Sequence, residues 1–132
     1  MSRLLNFLIL ITGATTLLIS QIAGASVKYE TTSDWGTGFN GQIRILNDTD
    51  QPIENWVLEF EWDRSLNQIW DARITRQQDG RYRIVPESWN ARIAPGASVR
   101  FGFGGAPGNL REGPKNVVLT HDAVQKPAPS PP

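Results

Sequence analysis

Four stretches of this chain alternate apolar and polar residues with a period of two. Ile43 and Ile45 alternate with Gln42 and Arg44, and Trp56, Leu58, Phe60 and Trp62 with Val57, Glu59 and Glu61. Tyr82 and Ile84 alternate with Arg81 and Arg83, and Val99, Phe101 and Phe103 with Arg100, Gly102 and Gly104. Successive side chains of a strand point to opposite faces, so each stretch predicts a half-buried antiparallel strand. Beyond the first 25 residues no apolar residues recur at helical spacing. Turn formers separate the strands: Asn47-Asp48-Thr49-Asp50-Gln51-Pro52, Gln78-Asp79-Gly80, Ala94-Pro95-Gly96, and a Gly/Pro-rich stretch from Gly104 to Pro114. Val27–Thr31, Ile69–Thr75 and Asn116–His121 bring the total to seven or more short strands. The expected fold is all-β, an antiparallel β-sandwich of immunoglobulin-like or jelly-roll type.

The two ends read differently. Arg3 precedes an apolar run from Leu4 to Ile19, and Ala23-Gly24-Ala25 has the small-x-small form of a signal-peptidase site. Residues 1–25 are therefore read as a secretory signal peptide, and the product as secreted and extracellular. The rival reading is a retained membrane anchor, but Asn6, Thr12, Gly13, Thr15 and Thr16 interrupt the run. Residues 26–124 form the sandwich domain. Residues 125–132 are a proline-rich tail or linker, too dense in proline to join a core.

Composition narrows the partners. The chain has 13 basic and 13 acidic side chains, a balance that favours neither nucleic acid nor an anionic membrane. It has no cysteine, which removes disulfides, zinc–thiolate sites and thiol nucleophiles together. No cofactor or metal is called for. Asp48 and Asp50 match no full calcium loop, and two acids in a tight turn are Asx-turn formers. Asn47-Asp48-Thr49 also fits a glycosylation sequon, of consequence only in a eukaryotic secretory route.

Five tryptophans remain to be placed. Trp56 and Trp62 share the apolar face of one strand and are expected in the core. Trp35, Trp70 and Trp89 have turn formers and polar residues as neighbours, so their rings are expected at loops or strand ends, exposed. A pyranose with equatorial hydroxyls presents a flat face of C–H groups that matches an indole. Covering roughly 100 Å² per ring at about 25 cal/mol/Å² contributes about 2.5 kcal/mol gross. One such stack does not offset the several kcal/mol lost on association, whereas three together do. Three rings suit a rigid polymer surface better than a free sugar.

Several motifs in order, Trp35-Gly36-Thr37-Gly38-Phe39, Asn55-Trp56, Ile69-Trp70, Ser88-Trp89-Asn90-Ala91-Arg92-Ile93-Ala94-Pro95-Gly96 and Phe101-Gly102-Phe103, resemble a family 2 carbohydrate-binding module. This is the cellulose-binding domain type common in bacterial cellulases and chitinases, and the resemblance runs from Val27 to about Ala123. It implies a β-sandwich, a core role for Trp56, and a surface platform of Trp35, Trp70 and Trp89. Gln42, Gln68 and Arg100 fall where the family carries polar side chains near that platform. Arg100 departs from the more usual glutamine, and Gly104 from a polar residue. Many members staple their termini with a disulfide, which this chain lacks. In the xylan-binding branch an arginine three residues after the first tryptophan turns that ring. Here the position is Gly38, so a flat Trp35 and a preference for crystalline cellulose or chitin over xylan are expected.

Two other classes compete. A small glycoside hydrolase would need two carboxylates about 5–9 Å apart. Asp71 and Glu87 lie near platform tryptophans but nothing in the sequence pairs or buries them, and His121, the single histidine, stands without a nucleophile motif. An immunoglobulin-like adhesion module would display a similar aromatic patch to a protein. The favoured reading is a non-catalytic monomer that binds insoluble β-1,4-linked polysaccharide, cellulose or chitin, and targets an attached or partner glycoside hydrolase.

Overall fold

The computed structural model describes residues 18–22 and 25–122. Its strands are β1 (Leu18–Ile22), β2 (Ala25–Asp34), β3 (Phe39–Asn47), β4 (Ile53–Glu61), β5 (Ser65–Trp70), β6 (Ala72–Gln78), β7 (Arg81–Pro86), β8 (Arg92–Ile93), β9 (Ser98–Ala106) and β10 (Lys115–Asp122). They form two antiparallel sheets. One runs β1-β2-β3-β9-β5, and the other β10-β4-β7-β6 with β8 paired to β4. The chain is the all-β sandwich that the alternation implies.

Each alternating stretch turns its apolar set inward. Val27, Tyr29, Ile43, Ile45, Phe101 and Phe103 of the first sheet are buried, as are Trp56, Leu58, Phe60, Tyr82, Ile84 and Leu119 of the second. The Trp56 ring stacks on Phe101 across the sandwich, 5.8 Å between centroids. Trp62 packs between Tyr29, Phe39 and Phe103 near the other end of the core. Trp56 and Trp62 are 0% and 5% exposed, as expected of core aromatics. Offset and edge-on aromatic pairs add to the area they bury, which matters in a chain with no disulfide.

One feature corrects the sequence reading and two add to it. Ile69–Thr75 is not one strand: the chain breaks at Asp71, with φ +66°, so β5 joins one sheet and β6 the other. The left-handed conformation is one that aspartate tolerates better than most residues, and it leaves Trp70 as the last residue of β5. Secondly, β1 lies inside the segment assigned to the leader, paired with β2 from Leu18↔Tyr29 to Ile22↔Ala25, and Ala25 itself is buried. Residues 1–17, the Ala23-Gly24 part of the cleavage motif and the proline-rich tail lie outside the described residues. Thirdly, Asn47 of the sequon is wholly buried. Its amide nitrogen donates to the carbonyls of Gln51 and Ile93, and its side-chain oxygen accepts from Thr49. That side chain is a turn-builder and presents no free amide to a glycosyl donor.

Candidate functional site

The outer face of the β2-β3-β9-β5 sheet carries little side-chain bulk at its centre, because Gly102 and Gly104 of β9 face outward opposite the buried Phe101 and Phe103. Trp70 is the register partner of Gly102. Its indole lies across that glycine: a Cβ there would stand 2.4–2.6 Å from Nε1, Cε2 and Cζ2 of the ring. Trp35 is held in the same way at the far end of the face. A two-residue loop is closed by its N–H to the carbonyl of Gly38, 3.0 Å, and a Cβ at Gly38 would meet Cζ2 of Trp35 at 2.8 Å. Gly38 needs no left-handed backbone, so the close approach of the ring is what calls for glycine there. Gly38 precedes Gln42, the partner of Gly102, by four residues. The two seats are thus about 13 Å apart along the strand.

Trp89 stands at a turn between β7 and β8. Asn90 N–H closes the turn on the carbonyl of Glu87, 3.3 Å, which places Ser88 and Trp89 at its tip. Asn90 is a buried polar side chain with both ends satisfied. Its Oδ1 accepts from Glu87 N–H at 2.9 Å and its Nδ2 donates to the carbonyl of Asp71 at 2.8 Å. Its own carbonyl accepts the indole N–H of Trp56 at 2.8 Å. The Trp89 turn is therefore bonded to the residue that follows Trp70 and to the core. The sequence reading quoted Asn90 only as part of a motif; its junction role follows from contacts across the fold.

All three tryptophans are exposed: Trp35 58%, Trp70 44% and Trp89 70%. Of the polar candidates, Gln42 is half-buried beside Gly102 and donates to Glu30 Oε1 at 3.3 Å. Gln68 is exposed and faces Gly104, with Asn40 on the other side of that glycine. Arg100 is exposed, two residues from Gly102 on the same face. Asn40 was not anticipated, and no motif marks it.

The Trp35 loop has its own anchor. Asp34 Oδ1 accepts the N–H of Gly36 at 3.0 Å and of Asn109 at 2.8 Å, and Oδ2 accepts that of Leu110 at 2.9 Å. The amides of Leu110, Asn109 and Gly36, in that order, hold the carboxyl below the usual aspartate range. Several other carboxylates are engaged in ordinary surface contacts. Glu87 pairs with Arg73 at 3.4 Å, Glu59 with Arg83 and Glu61 with Arg81, each at 3.7 Å. Asp71 is exposed at its corner, and the His121 ring lies 2.9 Å from the Asp122 carbonyl.

A sequence-family model described as Cellulose binding domain matches residues 25–123. Alpha-L-arabinofuranosidase C of Cellvibrio japonicus is 38% identical over 97 residues, covering 71% of this chain but 15% of that enzyme. A cellulose/chitin binding protein of Mycobacterium bovis is 31% identical over 114 residues, 85% of this chain and 80% of its own length. Among solved structures, the chitin-binding domain of Chi18aC from Streptomyces coelicolor is 33% identical with a TM-score of 0.60, over 76% of this chain and 93% of that one. The chain thus spans a small part of the enzymes it matches, 14% in the case of chitinase 63 of Streptomyces plicatus.

Proposed function

The chain belongs to the cellulose binding domain family, and from that premise we propose that it holds insoluble β-1,4-linked polysaccharide, cellulose or chitin, against Trp35, Trp70 and Trp89. Like its family it is a binding module and not a catalyst. The observation that carries the reading is the seating of Trp35 and Trp70 on Gly38 and Gly102, which leaves the upper faces of both indoles free for sugar. Trp89 joins them from the turn that Asn90 ties to Asp71, the residue after Trp70. Gln42, Gln68 and Arg100 border the platform and supply hydrogen bonds to ring hydroxyls. A flat crystal face loses little ordering entropy when bound, so three stacks are enough for about micromolar affinity.

The remaining features fit a secreted targeting module. The leader directs export, the domain acts as a monomer, and the proline-rich end tethers a glycoside hydrolase at raised local concentration on the surface. Several relatives that carry such a domain are hydrolases, which supports this role. Depletion assays on crystalline cellulose, chitin and insoluble xylan test the proposal. Adsorption to cellulose or chitin and little to xylan is expected. Absence of adsorption to all three, or tighter binding to xylan, refutes it. Release of reducing sugar by the pure chain, abolished in Asp71→Asn or Glu87→Gln, would overturn the non-catalytic assignment.

A further inference from the structure

On the side of Trp70 away from Trp35, the same sheet face carries three cations side by side. Arg44 and Arg100 are register partners across β3 and β9, and Lys28 of β2 is the partner of Arg44. All three are exposed. They fall two residues from the Glu30–Gln42–Gly102–Trp70 row, about 7 Å along the strands. Arg44 Nε donates to the Ser98 hydroxyl at 3.2 Å, which neutralises nothing. Among the described residues none of the three makes an ion pair, and Glu30 of the adjoining row accepts from Gln42.

On the opposite sheet the two arginines of β7 are compensated: Glu59 is the partner of Arg83 and Glu61 of Arg81, each within ion-pair distance, although Arg83 also faces Arg76 of β6. Like charges directly opposite one another destabilise a sheet. Three adjacent cations beside an aromatic strip, in a chain with equal numbers of acidic and basic residues, have no ion-pair partner among the described residues and complement an external anion. Neighbouring strands lie about 4.8 Å apart, so the cations span about 10 Å, wide enough to meet more than one acidic group on a surface.

The geometry points to a carboxylate-recognising edge: Lys28, Arg44 and Arg100 select polysaccharide surfaces that carry carboxylates, such as a β-1,4-glucan with oxidised C6 positions, over the neutral polymer. The inference rests on the stacking platform proposed above and adds a charge preference to it. Exposed ion pairs are individually weak, so the selectivity is modest and salt-dependent.

Adsorption isotherms of the full chain on microcrystalline cellulose and on the same cellulose oxidised to C6 carboxylates test it. At pH 7 and low salt, roughly threefold to tenfold tighter adsorption to the oxidised material is expected. The difference should vanish near 0.5 M salt, where the Debye length falls to about 4 Å. Lys28→Gln with Arg44→Gln should abolish the preference while adsorption to neutral cellulose stays within about twofold. Arg76→Gln with Arg81→Gln, the same loss of charge on the other sheet, should leave the preference intact. Equal adsorption to both celluloses at low salt overturns the inference, as does loss of the preference in both double variants, which would make it a net-charge effect. Failure of the unaltered chain to bind neutral cellulose would instead count against the platform itself.

Discussion

Gly102 and Trp70 show how much one atom matters on this surface. A Cβ at Gly102 overlaps the indole at 2.4 Å, so Gly102→Ala must lift Trp70 from its seat. The glycine lies on the outer face, where the ring can swing into solvent. Adsorption to cellulose should therefore fall at least fivefold, about 1 kcal/mol, with little change in melting temperature. Equal adsorption by wild type and variant would show that the seat is irrelevant. Trp35→Ala, Trp70→Ala and Trp89→Ala should likewise weaken adsorption and leave thermal unfolding nearly unchanged, because their rings are exposed. Trp56→Ala removes a wholly buried ring stacked on Phe101 and should cost about 3–5 kcal/mol in urea unfolding. Platform variants that unfold as readily as Trp56→Ala would contradict the display of those rings. Gly38→Arg displaces Trp35 by the same overlap and should move preference from cellulose toward xylan in the depletion assay.

At the scale of the element, two loops are held by one polar side chain each. Asn90 bonds the Trp89 turn to the Asp71 corner, and so fixes Trp89 relative to Trp70. Asn90→Ala strands the Glu87 N–H and the Asp71 carbonyl. A stability loss of about 1–3 kcal/mol follows, with adsorption falling toward that of Trp89→Ala. If adsorption stays at the wild-type level in the folded variant, the turn does not need its tie. Asp34 does the corresponding work for Trp35. Its folded pKa lies below the unfolded value of about 3.9. Its contribution to stability is thus fully present above that value and is lost as pH falls through the folded pKa. Protection of the amides of Gly36, Asn109 and Leu110, measured as exchange relative to the intrinsic rate at each pH, should persist through mildly acid conditions and fall only as pH drops through the lowered pKa of Asp34. In Asp34→Asn the acid-induced step should be absent, and its persistence there would assign it to another group.

The whole molecule holds its sandwich without a covalent staple, through aromatic packing between the sheets. β1 contributes backbone pairing to β2, but β2 brings its own buried Val27 and Tyr29. A chain beginning at Ser26 should therefore fold cooperatively and adsorb to cellulose within about twofold of the full chain. Circular dichroism melting and a depletion isotherm check this. Loss of the cooperative transition would make β1 an integral strand and argue against cleavage after Ala25.

The class of fold and the division of the tryptophans were legible in the sequence, because both depend on local order. Strand side chains alternate whatever the strand pairs with, so Trp56 could be assigned to the core from Leu58 and Phe60 alone. Trp89 could be assigned to the surface from the turn formers around it. Local order also misled at Ile69–Thr75, where strand formers on both sides, Ile69 and Trp70 before and Ile74 and Thr75 after, conceal the reversal at Asp71. Only the tertiary structure decided that β5 and β6 belong to different sheets, that Gly102 lies beneath Trp70, that Asn90 joins the core to the Trp89 turn, and that Lys28, Arg44 and Arg100 stand abreast. These are matters of register between segments distant in the chain. A shift of one residue would turn every side chain of a strand to the other face, and register is set by the packing of the entire core rather than by any segment within it.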